Sequence, residues 1–176
     1  MTIHLILGGA RSGKSSYAES LVMGSSQQHS LHYVATALAF DEEMQQRIYY
    51  HQNRRNDRWI EHECPIQLPD LISQFNENDV VLVDCLTLWM NNIIFNHGET
   101  ATEEAISSQV QHLVTALEAS SANIVLVSNE VGLGVVPMGE VTRLFVDHAG
   151  WMNQAIAKVA HKVTFVAAGL PMSLKG

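Results

Sequence analysis

The sequence feature that most constrains the fold is a glycine-rich segment near the amino terminus. It follows the pattern G-x-x-x-x-G-K-[S/T], and the mostly apolar residues 3–7 before it predict a β-strand. Residues 16–23 after it predict a helix. A strand, a glycine-rich turn and a helix N-terminus together direct backbone N–H groups at one anion. The segment therefore predicts a phosphate-binding loop formed by Gly8, Gly9, Ala10, Arg11, Ser12, Gly13, Lys14 and Ser15.

Individual residues of this loop have separate chemical tasks. Glycine at positions 8 and 13 permits backbone angles and a close approach to phosphate that a side chain would prevent. Lys14 can reach the outer phosphates as a compact cation, and the hydroxyl of Ser15 is placed to ligate a magnesium ion. The alternative is a glycine-rich turn that binds nothing. The strand before the loop and the helix after it disfavour that alternative.

Composition favours a small-molecule substrate. The 176 residues include 18 acidic and 10 basic side chains, giving a formal net charge of −8, so we expect no nucleic-acid partner. The length is that of a single domain. The two cysteines, Cys64 and Cys85, match neither a redox nor a zinc pattern, and no apolar run approaches the length of a membrane span. We therefore expect a cytoplasmic protein without disulfides or a membrane-spanning segment.

The rest of the chain alternates between predicted strands and predicted helices. The strands are residues 31–36, 79–84, 123–128 and 162–168, with 162–168 as the last strand and 59–65 as a further extended segment. The helices are residues 41–56, 68–75, 86–95, 102–119 and 141–159. This alternation predicts an α/β fold, a mostly parallel sheet with helices on both faces in a single domain. With the phosphate-binding loop after its first strand, the expected fold is P-loop NTPase-like, of the RecA-like type.

A second candidate site residue, Asp84, ends the apolar run Val80–Val83. Ligands bind at the carboxyl ends of strands in open α/β sheets, and P-loop proteins carry there an acid that holds magnesium directly or through water. An aspartate at a strand end is also often a helix cap, but the phosphate-binding loop favours the magnesium role. Magnesium and a triphosphate leave kinase, GTPase switch and motor open. The lack of an N-K-x-D sequence disfavours a Ras-type switch.

Further segments, in consistent order along nearly the whole chain, carry a resemblance to one family. They are residues 33–37 (YVATA), 41–44 (DEEM) with Arg47 and His51, 54–55 with Trp59 and Glu63, 83–89 (VDCLTLW), 129–137 (NEVGLGVVP), 143–154 and 168–171 (AGLP). Together with the phosphate-binding loop, they resemble the bifunctional adenosylcobinamide kinase/adenosylcobinamide-phosphate guanylyltransferase family of cobalamin biosynthesis. The loop is shared by many families, whereas the combination is specific.

The resemblance implies two reactions. In the first, the γ-phosphate of ATP or GTP passes to the aminopropanol hydroxyl of adenosylcobinamide. In the second, a histidine attacks the α-phosphorus of GTP, expels pyrophosphate and passes GMP to adenosylcobinamide phosphate, giving adenosylcobinamide-GDP. The resemblance places this nucleophile at His51, which joins Lys14 as an expected catalytic residue, and implies Mg²⁺ held by Ser15 and Asp84. It places contacts to the guanosine nucleotide at Ala35, Thr36, Ala37, Gln52, Asn53, Arg54, Arg55, Glu63 and Asp84.

The residue types suit this chemistry. Neutral imidazole is a good nucleophile near pH 7, and a covalent intermediate divides one transfer into two easier steps. Arg54 and Arg55 follow His51 by three and four residues and would share its helical face, where they could stabilise phosphate charge. Without the resemblance, a lone histidine near a helix end is more often a C-terminal cap. The competing hypotheses are a P-loop small-molecule kinase without guanylyltransfer and a nucleotide-dependent regulatory binding protein.

The sequence departs from the family pattern at two positions. Val146 and Trp151 stand where the family usually has arginine. If those arginines contact phosphate or a neighbouring subunit, corrinoid affinity or assembly will differ here. The resemblance also suggests a homo-oligomer, with a trimer as one form. Residues 129–137 and 143–154 are candidates for corrinoid binding or subunit contact, and the alternative is that they only pack the loop and the last helix. The preferred phosphoryl donor stays open.

Overall fold

A computed structural model describes residues 1–25, 28–38, 58–97 and 102–176. These residues form a seven-stranded sheet of order β3-β2-β4-β5-β1-β6-β7. Its strands are β1 (Thr2–Gly8), β2 (Ser30–Ala35), β3 (Trp59–Glu63), β4 (Asp79–Asp84), β5 (Asn123–Asn129), β6 (Lys162–Ala167) and β7 (Leu170–Lys175). The described helices are α1 (Lys14–Met23), α2 (Leu68–Ile72), α3 (Leu86–His97), α4 (Glu103–Ala119) and α5 (Glu140–Val159). The helix predicted at 41–56 lies outside the described residues.

The first six strands are parallel to their neighbours, and only β7 runs antiparallel, against β6. Neighbouring residues of one strand belong to different cores. In β4, Leu82 packs in a cluster with Ala18 and Val22 of α1, whereas Val83 packs in the cluster of α2 to α5. A strand buried on both faces is a continuous apolar run because neither face meets water. The predicted mostly parallel sheet with helices on both faces is therefore confirmed.

The helix boundaries follow local chemistry. The side chain of Thr102 accepts a hydrogen bond from the backbone N–H of Ala105 (3.2 Å), which caps α4, and Glu103 and Glu104 favour its positive end. The 20-residue α5 is amphipathic and buries only one stripe against the sheet, including Met152 and Ile156. Within the described ranges, no helix combines the length and hydrophobicity needed to cross a bilayer. The helix predicted at 68–75 ends earlier, at Ile72.

The expectation that residues 162–168 form the last strand is wrong. The strand β6 ends at Ala167, and a two-residue turn leads into β7. Ala168 and Gly169 both have positive φ (51° and 77°), as the mirror-image turns of tight hairpins require. The second residue of β7 is Pro171, which has no backbone N–H and cannot donate a hydrogen bond. A proline is tolerated there because β7 is an edge strand.

Candidate active site

The carboxyl ends of the parallel strands bring separate parts of the sequence to one edge of the sheet. Glu63 ends β3, Ala35 ends β2, Asp84 ends β4, Asn129 ends β5 and Gly8 ends β1. In the strand register, Ala35 pairs with both Glu63 and Asp84, and Gly8 pairs with Asn129. The phosphate-binding loop, the segment 35–37, Glu63 and Asp84 therefore lie along one edge, where ligands bind in open α/β sheets.

The glycine-rich loop leaves β1 in a compact turn and ends at the N-terminus of α1. The backbone N–H of Ser12 donates to the carbonyl of Gly9 (3.3 Å), and Arg11 has a positive φ of 55°. Gly13 precedes α1 and contributes no side-chain cap. The first N–H groups of α1 therefore lack a side-chain acceptor from the cap position. A helix N-terminus in this state is a site for an anion.

Two glycines of the loop are required by the structure. At Gly8, a Cβ would lie 2.5 Å from both Ser12 Oγ and the Val166 carbonyl oxygen. Gly13 has a φ of 93°, which L side chains rarely adopt. At Gly9, by contrast, a Cβ would meet nothing within 4 Å. The two fixed glycines of the motif are therefore the two that packing and backbone conformation require.

Neighbouring segments hold the loop in place. The backbone N–H of Gly169 donates to the carbonyl of Ser12 (2.8 Å), and that of Glu130 donates to the carbonyl of Gly8 (3.1 Å). The first contact comes from the turn between β6 and β7, and the second comes from the segment after β5. The loop is therefore fixed on two sides by backbone hydrogen bonds.

Lys14 lies inside this loop, with only 8% of its surface exposed. Its ammonium donates to the carbonyl of Gly9 (3.0 Å). Burial lowers the pKa of Lys14, and the nearby Cys85 and Asp84 raise it in part. A partly desolvated cation gains from an anion brought next to it. Lys14 is thus placed to interact with a phosphate held by the loop.

Asp84 lies close enough to Lys14 to raise the pKa of its ammonium. It is half-buried, and its Oδ2 accepts a hydrogen bond from the hydroxyl of Tyr33 (3.2 Å). The next residue, Cys85, follows through a cis peptide bond and is buried. Burial, with a contribution from Asp84, raises the pKa of the Cys85 thiol to about 11. That thiol therefore stays protonated near pH 7 and is unsuited to act as a nucleophile.

Thr36 joins β2 to the residue that follows β4. Its hydroxyl donates to the carbonyl of Cys85 (2.7 Å) and accepts from the N–H of Cys85 (2.9 Å), and its carbonyl accepts from the side chain of Asn92 (2.7 Å). The Thr36 hydroxyl is therefore used within the protein. Ala35 and Ala37 are half-buried and Glu63 is exposed at the same edge. That these residues contact a guanosine nucleotide stays a prediction.

The predicted nucleophile His51 lies outside the described residues, as do Gln52, Asn53, Arg54 and Arg55. The described chain resumes at residue 58, and β3 then runs to Glu63 at the same edge of the sheet as Asp84. The structure therefore describes the phosphate-binding loop, residues 35–37, Glu63 and Asp84 of the predicted site.

The sequence makes residues 129–137 candidates for corrinoid binding or subunit contact but gives Asn129 no role of its own. The backbone N–H of Asn129 donates to Thr87 Oγ1 (2.6 Å), and its carbonyl accepts from Asn153 Nδ2 (3.3 Å). The side-chain oxygens of Asn129 and Asn153 are buried and find no hydrogen-bond partner among the described residues. The available sequence signal was a polar residue directly after an apolar strand.

The segment after β5 presents apolar side chains to solvent. Val135 and Met138 are 96% and 95% exposed, and Leu133 and Val136 are also largely exposed. Residues 131–132 and 134–137 line a pocket together with Arg143, Val146 and Asp147 of α5. Arg143 donates to the carbonyls of Pro137 (3.2 Å) and Met138, which fixes the end of the segment against α5. We call residues 131–138 the apolar segment.

The two positions that depart from the family pattern lie in different places. Val146 lines the pocket beside the apolar segment. Trp151 is half exposed on α5, and its ring packs edge-on against that of His148, with ring centroids 5.0 Å apart. A change at Val146 therefore alters the pocket, whereas Trp151 belongs to the outer surface of α5.

Comparison with known proteins identifies close relatives. A family model described as "Cobinamide kinase / cobinamide phosphate guanyltransferase" matches residues 4–174. The bifunctional adenosylcobalamin biosynthesis protein CobP of Pseudomonas aeruginosa is 46% identical over 173 residues, which cover 98% of this chain and 96% of that protein. The bifunctional adenosylcobalamin biosynthesis protein CobU of Escherichia coli is 39% identical, with 97% of this chain and 98% of that protein covered.

Solved structures with low sequence identity share the fold. The flagellar accessory protein FlaH of Methanocaldococcus jannaschii matches with a TM-score of 0.54 at 17% identity, covering 99% of this chain and 78% of that one. The ATPase EscN of the enteropathogenic E. coli type III secretion system matches with a TM-score of 0.64 at 10% identity, covering 95% of this chain and 43% of that one. These likenesses confirm the predicted P-loop NTPase-like fold and carry no information on the reaction.

Proposed function

The chain belongs to the cobinamide kinase / cobinamide phosphate guanyltransferase family, and on that premise we propose that the kinase reaction and the guanylyltransferase reaction share one binding site for a nucleoside triphosphate, at the carboxyl edge of the sheet. The observation that carries the proposal is the phosphate-binding loop, which two backbone hydrogen bonds hold in place, with the buried Lys14 inside it and Asp84 nearby. A preformed loop of this kind binds phosphate without first having to be ordered. The site is therefore prepared for the triphosphate part of a nucleotide, which ATP and GTP share.

Binding of the triphosphate follows from three features of the loop. The first N–H groups of α1 lack a capping side chain, so they donate to phosphate oxygens. The ammonium of Lys14 is partly desolvated and adds a positive charge at the outer phosphates. Gly8 and Gly13 keep the backbone in the shape that directs these donors inward. The residues at positions 8–15 thus position the phosphate chain and stabilise its negative charge.

Ser15 and Asp84 fit a magnesium ion by the chemistry of their donor atoms. A hydroxyl and a carboxylate oxygen are hard ligands, and magnesium is usually held by one or two such groups together with substrate phosphates. Within the described ranges, no group of three or more His, Cys, Asp or Glu side chains could hold a metal ion. Two protein ligands suit magnesium better than a transition metal. Bound there, the ion would supply positive charge to the phosphates of the substrate.

In the kinase reaction, the γ-phosphoryl group of ATP or GTP passes to the aminopropanol hydroxyl of adenosylcobinamide. Phosphoryl transfer depends mainly on positioning and on stabilising charge. Lys14 and the N–H groups of the loop supply charge stabilisation where negative charge moves onto the leaving nucleoside diphosphate. The described residues therefore account for the electrostatic part of this step.

In the guanylyltransferase reaction, His51 attacks the α-phosphorus of GTP and forms a guanylyl-histidine, from which GMP passes to adenosylcobinamide phosphate. The leaving group is pyrophosphate, which consists of the two phosphates that the loop holds. The same donors that stabilise a leaving diphosphate in the first reaction would stabilise pyrophosphate in the second. Residues 35–37, 52–55 and Glu63 would contact the guanosine nucleotide. Ala35 ends β2, Glu63 ends β3, and both strands lie on the Asp84 side of the sheet.

We further propose a homo-oligomer, with a trimer as one form, working in the cytoplasm. The support for assembly is the apolar segment, whose exposed Leu133, Val135, Val136 and Met138 form apolar surface that a partner subunit would bury. The support for a cytoplasmic site is that both cysteines, Cys64 and Cys85, are free thiols. Sedimentation at several protein concentrations would test the assembly.

The experiment that tests the proposed function labels the covalent intermediate. The wild-type protein is incubated with magnesium and GTP labelled at the α-phosphate, then denatured, and the protein-bound label is tested for acid lability and base stability. Wild type should take up acid-labile, base-stable label, and His51→Ala should take up none. His112→Ala, at an exposed position of α4, is the matched control and should label as wild type does.

Three results would contradict the proposal in different ways. Wild type that phosphorylates adenosylcobinamide but takes up no label would be a kinase without guanylyltransfer. Wild type that binds GTP but gives neither product would be a regulatory binding protein. Equal labelling of His51→Ala and wild type would show that another residue is the nucleophile.

A further inference from the structure

Asn129 lies at a central point of the candidate site. Its strand, β5, runs between β1, which carries the phosphate-binding loop, and β4, which ends in Asp84. In the register, Asn129 pairs with Gly8, and Val127 pairs with Asp84. Alternation along the strand places the Asn129 side chain on the same face as Val127, which packs in the cluster of α1. The Asn129 side chain therefore lies on the α1 face of the sheet, between the phosphate-binding loop and Asp84.

The backbone and the side chain of Asn129 differ in how they are bonded. Its N–H donates to Thr87 Oγ1 and its carbonyl accepts from Asn153 Nδ2. Thr87 is itself buried and lies 3.2 Å from Ser128 Oγ. The Asn129 side-chain oxygen is buried but finds no partner in the described part of the chain. The position of the residue is fixed without its carboxamide oxygen.

An unpaired buried carbonyl oxygen is costly. Such an acceptor has lost its hydrogen bonds to water and has gained none from the protein. At most positions an apolar side chain of similar size would avoid that cost. An asparagine at this edge of the sheet therefore points to a hydrogen-bond donor that arrives with a substrate.

The chemistry of the reaction limits what that donor is. Phosphate oxygens accept hydrogen bonds and would not pair with a carbonyl oxygen. The hydroxyl that attacks the γ-phosphorus is a donor, and it must reach the outer end of the triphosphate. Asn129 is also separated from the apolar segment by Glu130 alone, and that segment exposes apolar side chains. An acceptor that packs part of its surface against the apolar segment would bring its hydroxyl toward Asn129.

We propose that Asn129 is a catalytic residue of the kinase reaction, whose carboxamide oxygen accepts a hydrogen bond from the attacking hydroxyl of the corrinoid acceptor. The inference rests on the proposed function. The hydroxyl oxygen forms a bond to the γ-phosphorus while the bond from that phosphorus to the β,γ-bridging oxygen breaks. The electron pair of that bond stays on the nucleoside diphosphate, and the hydroxyl proton leaves to solvent as the phosphate ester forms. Asn129 orients the hydroxyl and takes no proton, because a carboxamide is not a base near pH 7.

The test compares both reactions in one preparation of Asn129→Ala. Phosphorylation of adenosylcobinamide is followed with γ-labelled ATP, and self-guanylylation is followed with α-labelled GTP, which needs no acceptor hydroxyl. We expect kcat for phosphorylation to fall by about 10²-fold, the size of effect that loss of orientation produces, with KM for ATP unchanged. Self-guanylylation should stay within about twofold of wild type. The melting temperature should not fall, since the backbone hydrogen bonds of residue 129 remain.

Asn123→Ala is the matched control, because Asn123 is the first residue of β5 and lies at the amino end of the strand, away from the candidate site. It should leave both reactions unchanged. Wild-type phosphorylation by Asn129→Ala would overturn the inference. So would an equal loss of both reactions, which would place Asn129 on the nucleotide or its metal, and so would a lower melting temperature with both reactions reduced, which would make it structural. A wild-type protein that cannot phosphorylate adenosylcobinamide would instead overturn the proposed function, and this inference with it.

Discussion

Two polar clusters on the same sheet differ in whether their side chains find hydrogen-bond partners within the protein. In the first, which we call the histidine cluster, His32 lies between Asp79 and His62, at 3.2 Å and 2.9 Å. A carboxylate only accepts, so His32 Nε2 donates to Asp79, and in the neutral ring Nδ1 accepts from His62. The second oxygen of Asp79 accepts from both the backbone and the side chain of Asn76 (2.9 Å each). The histidine cluster is thus bonded within the protein.

The second cluster is the loop edge formed by Gly8, Ser12, Lys14 and Asn129. Here the backbone is bonded, through contacts from Glu130 and Gly169. The side-chain oxygens of Ser12 and Asn129 are buried and unpaired among the described residues. At the loop edge the backbone is held in place while side-chain acceptors are unpaired, an arrangement suited to binding a ligand. In the histidine cluster the side chains bond to one another, which contributes to the stability of the fold.

An unpaired atom alone does not identify a site. His29 Nδ1 and His148 Nε2 are also buried without a partner in the described chain. Neither lies beside the phosphate-binding loop, since His29 precedes β2 and His148 is on α5. The indication of a ligand comes from the unpaired atom together with its position at the carboxyl edge of the sheet.

The largest expected effect on stability is that of Gly8→Ala. The added Cβ would lie 2.5 Å from the carbonyl oxygen of Val166, which the sheet holds in place. Overpacking against backbone should cost about 3 kcal/mol, a drop of roughly 6–12 °C in melting temperature for a chain of this length. Gly9→Ala, where a Cβ meets nothing within 4 Å, is the matched control and should change stability by less than about 1 kcal/mol. Equal melting temperatures for the two variants would show that the loop is not packed as described.

A smaller loss of stability is expected from Asp79→Ala. The change leaves three donors, from His32 and Asn76, without their acceptor. The expected cost is about 2 kcal/mol in the free energy of unfolding by urea. Phosphorylation kcat, measured well below the melting temperature, should not change. Asp70→Ala, at an exposed position of α2, should cost less than about 1 kcal/mol. A loss of kcat at unchanged stability would give the histidine cluster a catalytic role and remove the contrast drawn between the two clusters.

The alternation of strands and helices could be predicted because each element has its own local pattern. The strand β7 could not, although Leu170, Met172 and Leu174 alternate with polar or proline residues. All six residues of β7 are exposed, so the strand lacks the buried face that distinguishes a strand from an irregular tail. The turn at Ala168 and Gly169 also lacks the asparagine or aspartate that commonly marks a tight hairpin.

The candidate site could be predicted only where its chemistry is local. Eight consecutive residues carry the phosphate-binding loop, and the apolar run before Asp84 indicates a strand end. The importance of Asn129 depends on β5 lying between β4 and β1, which is a property of strand order that local patterns do not encode. The role of His51 came from the family resemblance and stays a prediction.

The central claim is that one phosphate-binding loop serves both reactions, and Lys14→Ala tests it most directly. Phosphorylation of adenosylcobinamide and labelling of the protein by α-labelled GTP are measured on the same preparation, with Lys162→Ala, an exposed lysine that begins β6, as the control. Both reactions of Lys14→Ala should fall by about 10²–10³-fold, because each loses the cation at its leaving group, while the fold is retained. A variant that loses one reaction and keeps the other at the wild-type rate would contradict the claim.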